Sequence, residues 1–341
     1  MVSICSKTIR SKTIGSKIAF VLMLFLLLSL MAGSYGCDKA PGLMEYRQTR
    51  SIMDTFVTVT VVTDDQKHAT ETLDAVFEEF RRIEKKFTIF DHSPLSELNQ
   101  KGYLETDDQE FLRILRKAYY YSQITEGYFD MTVQPILDLY TRSFSATGSP
   151  PTQEDIDSAL RSVGYMNVII TDSSVTLHND TKLTLNALVK GYAVDSAIDI
   201  ILEHNISSAL VNAGGDLRAI GKKPDGSLWS IALANPDNTQ EFLTVIDADN
   251  IAVATSGNYE RYFDPSRRFH HIVDPHTGYS AQGLISVTII APTASQADAL
   301  ATAVFVMGKE KGLDLIQRLE TVEALLVTED RELVYSSSYP R

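Results

Sequence analysis

Between Phe56 and Tyr335 short β-branched runs alternate with helical repeats, but never at the steady strand–helix–strand spacing of a doubly wound parallel sheet. Strands are predicted over residues 56–62, 168–170, 175–177, 183–185, 208–212, 229–233, 251–255, 284–290, 320–328 and 333–335. Helices are predicted over 69–84, 109–125, 153–163, 192–204 and 294–305; in the first of these Leu73, Val76, Phe77, Phe80 and Ile83 share one face. Residues 93–99 read as a loop with a short helical turn. Residues 144–152, with Ser, Gly, Thr and Pro, read as a surface loop. No Rossmann fingerprint occurs, and the pattern implies an α+β fold with mixed or antiparallel sheets and flanking helices.

The 341 residues suffice for one large domain or two smaller ones. A formal charge of -13, with no basic run longer than Arg81-Arg82 or Lys85-Lys86 after the N-terminal segment, argues against nucleic acid as a partner. An anionic ligand then needs local help from a metal, a helix start or a particular lysine. The N-terminus reads as a separate device. Lys7, Arg10, Lys12 and Lys17 precede an apolar run over 18–31, and Ala32-Gly33-Ser34 follows, the order of an export signal too short for a comfortable membrane span. Ser34-Tyr35-Gly36-Cys37 is similar to a bacterial lipoprotein processing site, though Ser34 stands where that pattern usually has Leu. The expectation is a signal peptide over 1–36, a tether over 37–50 lipidated at Cys37, and a single folded domain over 51–341. An uncleaved anchor is the alternative. Asp38 after the lipidated Cys favours retention on the periplasmic face of the inner membrane. Cys5 and Cys37 are the only cysteines, so the body from Asp38 onward has neither disulfide nor thiolate chemistry.

Two segments carry more chemistry than folding needs. Residues 270–278 pack three imidazoles, a carboxylate and a hydroxyl into a stretch ended by Pro275 and Gly278. In the other, Asp298 and Thr302 stand four apart in a helical run, so both oxygens project from one face as hard ligands of the kind Mg²⁺ takes. Each has a plainer reading: a polar turn capped by Asp274, and a first-turn helix carboxylate stabilised by free amides. Further polar, glycine-containing turns occupy 127–135, 186–195, 212–216 and 255–261.

In this order, Phe129-Asp130-Met131-Thr132, 187–195, 212–216, 255–262, 270–278 and 297–302 resemble the ApbE flavin transferases, from about Ser51 to the end of the chain. The resemblance implies one unit of two similar, intimately packed halves. It also implies Mg²⁺, FAD as substrate, and transfer of FMN to a Thr or Ser hydroxyl of a membrane or exported redox protein with release of AMP. Carried over residue by residue, Asp298, Thr302 and the Ala187 carbonyl correspond to the metal ligands. Met53, Phe90, Asp130, Lys190, Gly214, Gly215, Asp216, Ser256, Gly257 and Ile272 correspond to the FAD pocket. The chain departs from the family at Met53-Asp54-Thr55, where Met-Gly-Thr is usual, and at Asn186-Ala187-Leu188-Val189 before Lys190-Gly191.

The residues suit that chemistry. A metal at Asp298 and Thr302 neutralises a pyrophosphate, and Lys190 offsets its charge. A Thr hydroxyl needs a base, and a neutral imidazole has the right intrinsic pKa; His271 takes that role, with His270 as competitor. Asp274 either orients an imidazole or caps the turn. If water replaces the hydroxyl, the same site is an FAD pyrophosphatase giving FMN and AMP. A flavin-binding lipoprotein without catalysis would release no AMP.

Overall fold

Eight antiparallel strands form the main sheet, in the order β1 (Met44–Ile52), β2 (Thr55–Thr63), β6 (Ala209–Ala213), β7 (Asp216–Ile220), β10 (Ile251–Gly257), β11 (Leu284–Ala291), β12 (Glu323–Thr328) and β13 (Leu333–Tyr335). This computed structural model describes residues 42–90, 92–264 and 268–339. The signal-like segment and Cys37 lie outside the described residues. Beside the main sheet stand a three-stranded sheet of β3 (Tyr103–Glu105), β5 (Ser174–Leu177) and β4 (Val168–Ile170), and a hairpin of β8 (Trp229–Asn235) and β9 (Asn238–Ala248). Among the described residues the α-helices are α1 (Gln66–Phe87), α2 (Pro94–Lys101), α3 (Gln109–Ile124), α4 (Gln134–Thr147), α5 (Gln153–Leu160), α6 (Asn186–Glu203), α7 (Ala294–Met307) and α8 (Lys309–Gln317).

The sheet divides into two four-stranded halves that meet where β7 pairs with β10. α1 and α6 cover β1, β2, β6 and β7; α7 and α8 cover β10, β11 and β12; and α6 packs directly on α7. Strand alternation explains the layering. Ala252, Ala254, Val287, Ile289, Ala324 and Leu326 face the helices, whereas Val253, Ile290 and Leu325 face the β8–β9 hairpin around Trp229. Both faces of β11 are therefore covered, which is why Leu284–Ala291 is buried at every position.

Several expectations are corrected. The tether expected up to residue 50 overlaps β1, whose Met44–Ile52 ladder pairs with all of β2. No strand forms over 183–185: Thr184 N–H donates to Met131 O, and β3 supplies the third strand of the small sheet. The loop expected over 144–152 is in its first part the end of α4, which stops at the left-handed Gly148. Residues 93–99 belong to a capped helix, α2, with a Ser93–Ser96 capping box and Pro94 in its first turn. α6 starts six residues before the predicted Tyr192, because Gly191 lies inside it.

Candidate active site

α6 and α7 cross closely, and one glycine permits it. A Cβ on Gly191 would lie 2.3 Å from the Ala294 carbonyl oxygen, so only glycine lets the start of α7 approach α6. Asp195, one turn further along α6, caps the incoming helix. Its carboxylate accepts from Ala294 N–H at 2.8 Å, Ser295 N–H at 3.0 Å and the Ser295 hydroxyl at 2.6 Å, and Arg218 donates to it at 3.0 Å. With Thr293 also accepting from Gln296 N–H, the free amides of α7 are met without Asp298. The plain reading of Asp298 as a first-turn carboxylate is thereby set aside: it sits in the second turn, buried, and accepts Gly191 N–H at 3.0 Å across the seam. That N–H is the donor a regular helix would commit to the carbonyl of Ala187, four residues earlier. At Ala187 itself the backbone leaves helical geometry, at φ -88° and ψ 21°. Burial, the nearby Asp216 carboxylate and, more weakly, Asp195 push the Asp298 carboxyl well above the usual range, with Lys190 and the Gly191 amide opposing them.

Lys190 and Asp216 form the second element. Lys190 Nζ stands 2.6 Å from Asp216 Oδ2, and Asp216 is almost fully enclosed. The approach is ionic and off the angle of a hydrogen bond, so that oxygen keeps unused acceptor capacity among the described residues. Burial would lower the Lys190 ammonium's pKa, but Asp216 and Asp298 outweigh it and raise it. Lys190 is thus no freely solvated helix-start lysine. Asp216 opens β7 directly after Gly214 and Gly215, whose φ values of 63° and 102° make the two-residue turn from β6. A Cβ on Gly214 would lie 2.2 Å from Thr55 Oγ1, which places the tip of the β1–β2 hairpin against this turn. Met53 and Asp54, at φ 56° and 55°, form that tip, and Met53 N–H donates to Glu84 at 2.7 Å. Asp54 thus takes a backbone conformation that favours the glycine usual there.

The two adjacent histidines separate cleanly. His270 is buried with both ring nitrogens committed: Nε2 lies 2.9 Å from Ala281 O, and Nδ1 accepts Ile272 N–H at 3.3 Å. These partners make it a neutral Nε2–H tautomer, and burial lowers its pKa. His271 Nδ1 lies 3.2 Å from Arg261 O, which fixes the proton there and leaves the Nε2 lone pair for other work. Burial, then the charges of Arg261, His270 and Lys190, lower its pKa to about 4 against the pull of the Arg261 carbonyl. Asp274 accepts from His276 N–H at 2.9 Å and from Thr277 Oγ1 at 3.2 Å, and stands 3.0 Å from His276 Nδ1. It caps the turn and touches neither His270 nor His271.

Lys190, Asp216, Asp298 and His271 therefore act on one another across the α6–α7 seam, and Thr302, one turn beyond Asp298 on α7, lies 3.1 Å from the Ser256 hydroxyl. Three other expected residues are not tied to those groups by a side-chain hydrogen bond or ion pair. Asp130 is buried, its carboxylate spent on Thr132 N–H, the Thr132 hydroxyl and Tyr165 N–H, at 2.8, 2.6 and 2.9 Å. Ile272 belongs to the core, and Phe90 is 84% exposed. Asp195 and Arg261 escaped the sequence reading as individual residues, although both lie in motifs it singled out. Among the described residues no three His, Cys, Asp or Glu side chains converge as a metal-binding group. The set anticipated here is of another kind: one carboxylate, one hydroxyl and one main-chain carbonyl.

Comparison with known proteins bears on the chain as a whole. The model of the ApbE family matches residues 53–326, and the chain belongs to that family. It is 31% identical over 291 residues to the FAD:protein FMN transferase of Haemophilus influenzae, covering 81% of this chain and 82% of that protein. The Treponema pallidum protein of the same name is 28% identical over 332 residues, covering 90% and 91%. Among solved structures, the ApbE protein of Thermotoga maritima superposes with a TM-score of 0.79 at 34% identity, covering 87% of this chain and 98% of that one. The apo flavinyl transferase ApbE of Pseudomonas stutzeri gives 0.76 at 28%, covering 87% and 96%.

Proposed function

We propose that the chain transfers the FMN half of FAD to a Thr or Ser hydroxyl of an acceptor redox protein, leaving a phosphoester and releasing AMP. As a member of its family it is an enzyme that moves FMN from FAD to an acceptor protein. The observation that carries the finer reading is the seam itself, where Lys190, Asp216, Asp298 and His271 converge without being consumed by the fold. The hydroxyl oxygen bonds to the FMN-side phosphorus, the bond from that phosphorus to the bridging oxygen breaks, and its electron pair leaves with AMP. The hydroxyl proton passes to His271 Nε2, which the Arg261 carbonyl holds in the accepting tautomer. Lys190, steadied by Asp216, offsets negative charge on the pyrophosphate.

The residues fit a magnesium ion. Asp298 is a buried carboxylate beside two others, a charge that a divalent cation would stabilise, and the Ala187 kink and the Thr302 hydroxyl add the hard oxygens such an ion takes. Asp298, Thr302 and the Ala187 carbonyl would hold it, and when bound it would supply neutralising charge to the pyrophosphate.

Incubation of the protein with FAD, Mg²⁺ and a candidate acceptor tests this reading. Flavin that stays on the acceptor after denaturation, matched by AMP, is the expected result; free FMN alone would make the enzyme a hydrolase. The signal-like segment and Cys37 support a lipid-anchored form on the periplasmic face of the inner membrane, where acceptor subunits of redox complexes are within reach. The mass of the membrane-extracted protein checks it: an N-terminus at Met1 rules out cleavage, and an unmodified Cys37 rules out the lipid.

A further inference from the structure

The end of β10 and the turn after it are anchored on both sides, and the turn presents two exposed charged side chains, Glu260 and Arg261. At its start Ser256 Oγ lies 3.1 Å from Thr302 Oγ1. Next, the ring of Tyr259 lies over Gly257, where a Cβ would approach ring carbon Cε1 to 2.5 Å, so this residue pair locks the turn. At its end the Arg261 carbonyl is held twice by His271, by its N–H at 3.2 Å and beside its Nδ1 at 3.2 Å. Only the backbone of Arg261 is used in this way. Its side chain is exposed, and no hydrogen bond or ion pair joins the guanidinium to another described residue. The other cations around the seam are engaged, Lys190 by Asp216 and Arg218 by Asp195. Because its carbonyl is held by both the N–H and the ring of His271, the Arg261 side chain leaves the turn next to the proposed base.

An unpaired guanidinium on the residue that holds the base, in a chain of formal charge -13, is suited to a ligand that brings its own negative charge. We infer that Arg261 is a catalytic residue of the flavin transfer, its guanidinium clamping the FAD pyrophosphate while its main-chain carbonyl holds the His271 base. The inference rests on the transferase reading above. A planar guanidinium grips two phosphate oxygens at once, and it stabilises the charge that grows as the bond to the leaving AMP breaks. Base and clamp share one residue, so the phosphorus and the imidazole are kept in register.

Because the carbonyl survives any side-chain change, the clamp can be removed without releasing His271. Full-length Arg261→Ala, Arg261→Gln and Arg261→Lys proteins are compared with wild type in AMP release and flavin transfer. FAD affinity is measured separately by flavin fluorescence across a salt series. Loss of turnover by about 10² is expected in the Ala and Gln variants, in the range for removing one transition-state donor. Partial recovery in the Lys variant, unchanged thermal unfolding, and weaker FAD binding with a shallower salt dependence complete the expected result. Wild-type turnover in Arg261→Ala overturns the inference, and so does a loss of activity that tracks a loss of folding in all three. If wild type itself binds FAD but releases no AMP, the transferase reading fails instead. The clamp is then judged on affinity alone, and Arg261→Ala binding FAD as tightly as wild type refutes it.

Discussion

The turn at residues 270–278 and the seam between α6 and α7 are both crowded with polar side chains, and they use them in opposite ways. In the turn nearly every group is satisfied locally: His270 by Ala281 and Ile272, Asp274 by His276 and Thr277, Ser280 by the His270 backbone. In the seam the groups are held but not exhausted. Asp298 accepts one amide and has carboxylates for neighbours, Asp216 Oδ2 meets an ammonium off-axis, and the Ala187 carbonyl sits at a kink. A satisfied polar network supports a fold, whereas partly satisfied buried groups leave capacity that a ligand can use. His271 belongs to the seam although its sequence neighbours belong to the turn.

The comparison breaks most visibly at Asp298. Asp298→Ala should reduce Mg²⁺-dependent AMP release by about 10³ or more, because a metal ligand and transition-state charge are lost together. Its melting temperature should change little, since removing a carboxylate that resists burial offsets the unpaired Gly191 amide. AMP assays beside thermal unfolding decide this, and wild-type turnover at moderate Mg²⁺ contradicts it. Gly191→Ala tests the seam as a contact. A methyl 2.3 Å from the Ala294 carbonyl must push the helices apart, with a cost of about 1–3 kcal/mol by denaturant unfolding and a loss of activity from displaced Asp298. The smallest effect is in pH. With the His271 pKa lowered to about 4, and with Mg²⁺ saturating so that Asp298 stays ionised, kcat/KM should stay level from about pH 8 down to about pH 5 and fall only below that. The sign for stability is the same. The unfolded imidazole, at about 6.5, takes its proton before the folded one does, so His271 costs stability progressively as pH falls from about 6.5 to about 4. A descending limb near pH 6.5 would place the base elsewhere.

Elements with strong periodicity were legible in the chain: β2 and β11 from their β-branched runs, α1 from its five-residue apolar face, α7 from its alanine-rich repeat. β1 was not, because an edge strand with one solvated side alternates Tyr46, Gln48 and Arg50 with residues no more apolar. α4 was missed whole: only Gln134, Ile136 and Tyr140 are buried along it, and Ser143, Ser145 and Thr147, which exposed helix faces tolerate, make its end look like a loop. Gly191 resembled a helix boundary, and its steric reason lies about a hundred residues away at Ala294. The candidate site followed the same logic. Asp298, Thr302, Lys190 and Asp216 were visible as residue types in motifs, whereas the cap that Asp195 places on α7 needs the tertiary contact. The histidine pair was the sharpest limit, since adjacent residues in an extended segment face opposite sides and only the surroundings say which is free.

That pair also provides the most direct test of the difference between spent and unspent groups. His270→Ala and His271→Ala are assayed together for AMP release, FAD binding and unfolding free energy. His271→Ala should lose about 10² in turnover, keep FAD binding and unfold like wild type. His270→Ala should lose about 2–4 kcal/mol of stability, from a vacated buried site and unmet hydrogen bonds, while its folded fraction stays active. The reverse pattern, with His270→Ala stable but inactive and His271→Ala fully active, would contradict the account.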